Sequence, residues 1–153
     1  MPRYFEDLTV GADWDLGTVT ADREEMLEFA RRFDPQPVHT DPEAARDSPF
    51  GELIASGWYT ASLCMRPLVD RVLRGSAALG AVGMDELRWP VPVRAGDELT
   101  LTGGVVGKRR SESEPGRGVV RASLRAQRAD ESTVLQWTAI VLWRCRDRDA
   151  GGS

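Results

Sequence analysis

From Ile54 to Leu73 apolar side chains occupy most of the circumference of a helical wheel. Ile54, Trp58, Ala61, Met65, Leu68 and Val72 recur at intervals of 4, 3, 4, 3 and 4, and Leu63, Cys64, Val69 and Leu73 widen the stripe. A helix apolar on nearly all sides has to be buried, so other elements of the chain must cover it. The C-terminal half of the chain reads as strands able to do so. Residues 79–89 end with Leu87 and Trp89 on one face, and Leu99, Leu101, Gly103 and Val105 alternate with other residues. Val120, Ala122, Leu124 and Ala126 alternate with Arg121, Ser123, Arg125 and Gln127, and residues 133–144 form a last strand. An apolar-polar alternation around Trp14, Leu16 and Val19 supplies a further strand before the helices. One buried helix and an antiparallel sheet wrapped around it is an α+β architecture. Pro67 predicts a bend or break in the helix near residues 63–66, because proline removes a hydrogen bond and crowds the preceding turn.

The remaining elements are shorter. Thr20 or Asp22 caps a helix whose apolar face is Met26, Ala30 and Phe33, with Glu25 three residues after Asp22 as in a capping box. That helix stops at Asp34, since Pro35 disfavours helical geometry in the residue before it. Asp41 and Pro42 open another short helix. Lys108 to Gly118 reads as a charged hairpin loop. In the last strand Leu135, Trp137, Ala139, Val141 and Trp143 lie on one face and Val134, Ile140 and Leu142 on the other. More apolar surface stands there than one helix can bury, which predicts a dimer as the minimal unit. Neither an internal repeat nor a linker divides the chain, so residues 1–146 are expected to form one domain and 147–153 a disordered tail.

The chain has 153 residues, 41% hydrophobic and 29% charged, with a formal net charge of −4. Its arginines are scattered among acids, so no nucleic-acid partner is expected. A run of 18 apolar residues is lacking and the opening M-P-R-Y-F-E-D carries acids, which predicts no membrane span and a cytoplasmic location. Cys64 and Cys145 sit among apolar residues and read as buried thiols. His39 is the one histidine, which excludes a multi-histidine metal site.

His39 closes the segment D-P-Q-P-V-H, residues 34 to 39. A carboxylate and an imidazole five residues apart are separated by roughly 16 Å in an extended chain, so they share chemistry only if the segment turns. Asp followed by Pro favours a turn. On spacing alone, Asp34 is equally a loop cap and His39 a packed residue ahead of a helix.

The segment resembles the D-x-N-P-aliphatic-H signature of the MaoC-like dehydratases and R-specific enoyl-CoA hydratases. Y-F-E-D-L-T-V-G at 4–11, F-G-E-L-I-A-S-G at 50–57 and D-E-L-R-W-P-V-P-V-R-A-G-D at 85–97 are similar to the family in the same order. The resemblance implies a hot-dog fold and a homodimer, or a multiple of dimers, with sheets joined edge to edge. It implies hydration or dehydration of an acyl thioester, with coenzyme A only as part of the acyl-CoA substrate and no other cofactor. It makes Asp34 and His39 the acid–base pair and Gly57 the donor whose N–H polarises the thioester carbonyl. Gln36, Ser56 and Trp58 are then the residues expected to meet the substrate. Gln36 stands in place of the family's asparagine, and Ser56 where many relatives have histidine. Two other readings stay open: a non-catalytic acyl-binding hot-dog subunit, and a thioesterase. The latter is disfavoured because residues 53–69 contain no acid.

Overall fold

The structure is a computed structural model that describes residues 2–147. All of the expected tail beyond Asp147 lies outside the described residues. After a 3-10 turn at Phe5–Asp7 come β1 (Asp13–Thr20), α1 (Arg23–Phe33), α2 (Pro37–Thr40), α3 (Pro42–Arg46) and α4 (Gly57–Leu68). A π-helical turn, Val69–Leu73, continues from α4 and leads to β2 (Ala78–Arg88), β3 (Glu98–Arg110), β4 (Arg117–Gln127) and β5 (Thr133–Arg144). The strands form one antiparallel sheet in the order β1-β3-β4-β5-β2. One row of paired residues, Trp14, Gly103, Leu124, Trp137 and Leu87, crosses all five strands. The inward face of the sheet, with Leu99, Leu101, Val120, Leu124, Trp137 and Trp143, shares a core with Tyr59, Cys64 and Leu68 of α4 and with Val72. A five-stranded antiparallel sheet around one central helix is the hot-dog fold expected from the sequence. Among the described residues no helix is long and apolar enough to cross a membrane.

Several local expectations are corrected. The central helix begins at Gly57, not Ile54, because Ile54 and Ala55 are held extended by hydrogen bonds to the Val38 and Val93 carbonyls. No break occurs at residues 63–66. The helix runs through Pro67, and the disturbance comes one turn later, where the Arg74 N–H reaches back five residues to the Val69 carbonyl. Lys108, Arg109 and Arg110 belong to β3 and not to a hairpin loop. The Lys108 ammonium donates to the Phe5 carbonyl and Arg110 pairs with Glu6, so these cations fasten the N-terminal turn to the sheet. Phe33, expected on the buried face of α1, is 63% exposed. Its ring packs on Phe29 along an open groove between α1 and α4. Trp137, Val141 and Trp143, whose apolar bulk suggested an interface, are buried within the one chain. An exposed apolar set lies instead on β2, the edge strand, where Leu79, Val82 and Met84 are exposed on the single chain. Cys64 and Cys145 are buried, as expected, and burial pushes the Cys64 thiol up to about 12.

Candidate active site

α1 ends at Asp34 because Pro35 comes next, and the backbone there leaves helical geometry (φ −150°, ψ 65°). Pro37 then takes the first position of α2, for which its fixed φ is suited. The turn that joins the acid to the histidine is therefore a helical one. It carries His39 back beneath Asp34, leaving 3.5 Å between His39 Nε2 and Asp34 Oδ2. Two prolines thus close the distance that an extended segment would leave between the two groups.

Each partner is held by further hydrogen bonds. The Gln36 side-chain amide donates to Asp34 Oδ1 at 2.7 Å, and the Ser56 hydroxyl donates to Asp34 Oδ2 at 2.7 Å. Hydrogen bonds to a carboxylate favour its charged form. The Gln36 amide, the Ser56 hydroxyl and the neighbouring His39 together hold Asp34 below the usual carboxylate range, against the opposing effect of partial burial. His39 Nδ1 lies 2.9 Å from the Ile54 carbonyl oxygen. A carbonyl only accepts, so Nδ1 carries a hydrogen and Nε2 is the ring nitrogen turned to the carboxylate. The two atoms are close enough to share one water.

Ser56 is fully buried and serves two elements at once. While donating to Asp34 it caps α4, accepting from the Trp58 N–H. Gly57 is the first residue of α4, where an N–H has no intrahelical acceptor and the helix dipole favours negative charge. Gly57 and His39 line one cavity of about 190 Å³, whose other walls include Phe50, Ile54, Thr60, Trp89, Val93 and Val134. A larger opening of about 520 Å³, between α1 and α4, holds neither member of the pair.

Of the six residues expected at the site, the structure brings five together. Asp34, His39, Gln36 and Ser56 form one hydrogen-bonded cluster, and Gly57 adjoins it through the helix cap. Gln36 and Ser56 serve the carboxylate directly. Trp58 is the exception. It is 57% exposed, lies outside the cavity lining and packs edge-on against Trp89, with ring centroids 5.1 Å apart. Trp89 is the residue that sequence reasoning missed. A Cβ built on Gly57 would lie 2.5 Å from the Trp89 ring, so the indole is pressed against this glycine. The run R-W-P-V-P-V is visible in the sequence, but nothing local says that it folds against residues 53–57.

Comparisons with known proteins fit this geometry. Residues 8–126 match the family described as the MaoC like domain. The 3-hydroxyacyl-thioester dehydratase Z of Mycobacterium tuberculosis is 33% identical over 115 residues, covering 74% of this chain and 71% of that protein. The MaoC-like dehydratase from Rhodospirillum rubrum is 39% identical and superposes with a TM-score of 0.85 over 94% of this chain and 98% of its own. An (R)-hydratase from A. caviae involved in PHA biosynthesis is 25% identical, with a TM-score of 0.71 over 92% and 99% of the two chains. With its hot-dog fold and a family match spanning most of its length, the chain belongs to the MaoC-like dehydratases.

Proposed function

We propose that this protein is a hydro-lyase that adds water to, or removes it from, an acyl thioester, with Asp34 and His39 as the acid–base pair. The observation that carries the reading is the facing of Asp34, its carboxyl held below the usual range, and Nε2 of His39 across 3.5 Å. In the hydration direction the water held between them bonds through oxygen to the β-carbon of an enoyl thioester. The double-bond electrons move toward the α-carbon and carbonyl, the pair takes one proton from the water, and the pair returns a proton to the α-carbon. The net change is H and OH added, with the protein unchanged, so coenzyme A enters only as part of the substrate. The charge that builds on the carbonyl oxygen meets the Gly57 N–H, a preorganised donor of the kind that commonly supplies the largest share of catalysis. The names of the relatives, a 3-hydroxyacyl-thioester dehydratase and an (R)-hydratase, support the same chemistry.

The working unit in this reading is a homodimer joined along β2, the strand that leaves Leu79, Val82 and Met84 in solvent on one chain. To test the function, purified protein is given crotonyl-CoA in ¹⁸O-labelled water, and both 3-hydroxybutyryl-CoA and free thiol are measured. Label at the β-hydroxyl without thiol release is the expected result. Thiol release without the hydroxy product would replace the hydratase with a thioesterase, and neither product would leave an acyl-binding subunit.

A further inference from the structure

We infer that Trp89 is the size-determining wall of the His39 cavity and holds this protein to short acyl chains, an inference that rests on the hydratase reading for what the cavity receives. The cavity is apolar apart from His39 and Thr60, and the Thr60 hydroxyl is turned to the Ser56 carbonyl of its own helix. The side chains of the lining are otherwise apolar, so the part of the ligand it takes is hydrocarbon. Gly57 and His39 fix where the thioester and the reacting carbons sit. At about 190 Å³ the cavity is small beside the long chains that acyl thioesters can carry.

Trp89 is placed to set that limit. Its ring lies against Gly57, immediately beside the carbonyl donor, so it borders the acyl group from the first carbons onward. It is 39% exposed, so its indole divides the cavity from the surface and is not part of the core. It is also held in place. Trp58 packs edge-on behind it, Pro90 and Pro92 restrict the adjoining backbone, and the Val93 carbonyl accepts from the Ala55 N–H. Phe50, the other aromatic of the lining, sits in a turn just before Gly51 and lacks an equivalent brace. Shortening Trp89 therefore removes a wall without excavating the core.

The test is isothermal titration of wild type, Trp89→Ala and Trp89→Phe with butyryl-, hexanoyl- and dodecanoyl-CoA, saturated thioesters that bind without reacting. Wild type should bind dodecanoyl-CoA about tenfold or more weakly than hexanoyl-CoA, the scale on which apolar pockets reject an oversized group. Trp89→Ala should invert that order, and Trp89→Phe, which keeps a ring and guards against a misfolded alanine variant, should fall between. Equal binding of all lengths to wild type, one length profile shared by all three proteins, or no binding at all overturns the inference. Crotonyl-CoA hydration by wild type is measured alongside. A length limit that Trp89→Ala lifts, in a protein that hydrates nothing, removes the hydratase reading and leaves the wall in place.

Discussion

Ser56 links two requirements of the site through a single oxygen. Its hydroxyl donates to the Asp34 carboxylate and accepts from the first turn of α4, so Asp34 and the start of α4 are referenced to one atom. Asp34 has to be ionised to accept a proton, and the donated bond helps keep it so. Ser56→Ala removes that help and raises the Asp34 pKa, which should move the acid limb of the kcat/KM profile to higher pH, while Ser56→Thr should restore it. A limb that stays put while turnover falls would make Ser56 a helix cap alone. The linked stability has a definite sign. A carboxylate with a depressed folded pKa stabilises the protein above the ordinary carboxylate range and loses that effect as pH falls through its folded value. The deficit of Ser56→Ala in melting should therefore be present at neutral pH and shrink below about pH 4. Gly57 poses a different question, because a methyl there strikes Trp89 before anything else. Gly57→Ala should lower turnover in the wild-type background and cost about tenfold less in a Trp89→Ala background, the non-additivity expected of residues in contact. Equal losses in both backgrounds would mean that the methyl meets the substrate. The clustering of Asp34, Gln36 and His39 was legible as a linear motif, in a segment whose turn is set by two prolines, and Gly57 stands out at the helix start. Trp89 was not, because its place depends on a long-range pairing between residues 55 and 93.

At the level of elements, the caps and strand alternation read from the sequence were the durable part. Asp22 accepts from the Glu25 N–H and starts α1 as its spacing implied. The Glu25 side chain, however, receives the Tyr59 hydroxyl at 2.8 Å and so ties α1 to α4. That cross-link could not be read locally, since Tyr59 lies 34 residues away. Asp22→Ala should lower stability by about 1 kcal/mol, the usual cost of a lost N-cap, with turnover per folded molecule unchanged. A chemical-denaturation curve and an activity measurement on the same preparation check both halves. The helix boundaries failed where tertiary contacts overruled periodicity. Ile54 continues the apolar repeat of α4, yet its backbone is held extended beside α2 and its carbonyl accepts from His39. Phe33 continues the repeat of α1, yet the helix end stands over an open groove.

On the scale of the whole molecule, the order of the strands leaves β2 at an edge with unpaired backbone groups and apolar side chains in solvent, a combination soluble proteins normally cover. The sequence pointed to an interface from the excess apolar residues of β5, and the structure moves that excess inside, since the sheet and α4 bury Trp137 and Trp143. The exposed set belongs to the neighbouring strand. Sedimentation equilibrium should give twice the chain mass of 16.9 kDa at micromolar concentration. Val82→Arg, on the outer strand, should shift the population toward monomer, and a monomeric wild type would contradict the β2 assignment.

The most direct measurement for the acid–base pair is the rate of crotonyl-CoA hydration by Asp34→Asn and by His39→Ala, each compared with wild type at equal folded fraction. Asparagine keeps the size of Asp34 but does not take the proton, and the loss of the imidazole leaves the water with one acceptor. Each variant should fall by about 10²–10⁴-fold, the scale of a lost general acid or base. Retention of more than about a tenth of the wild-type rate by either variant would contradict the assignment of Asp34 and His39 as the groups that move the proton.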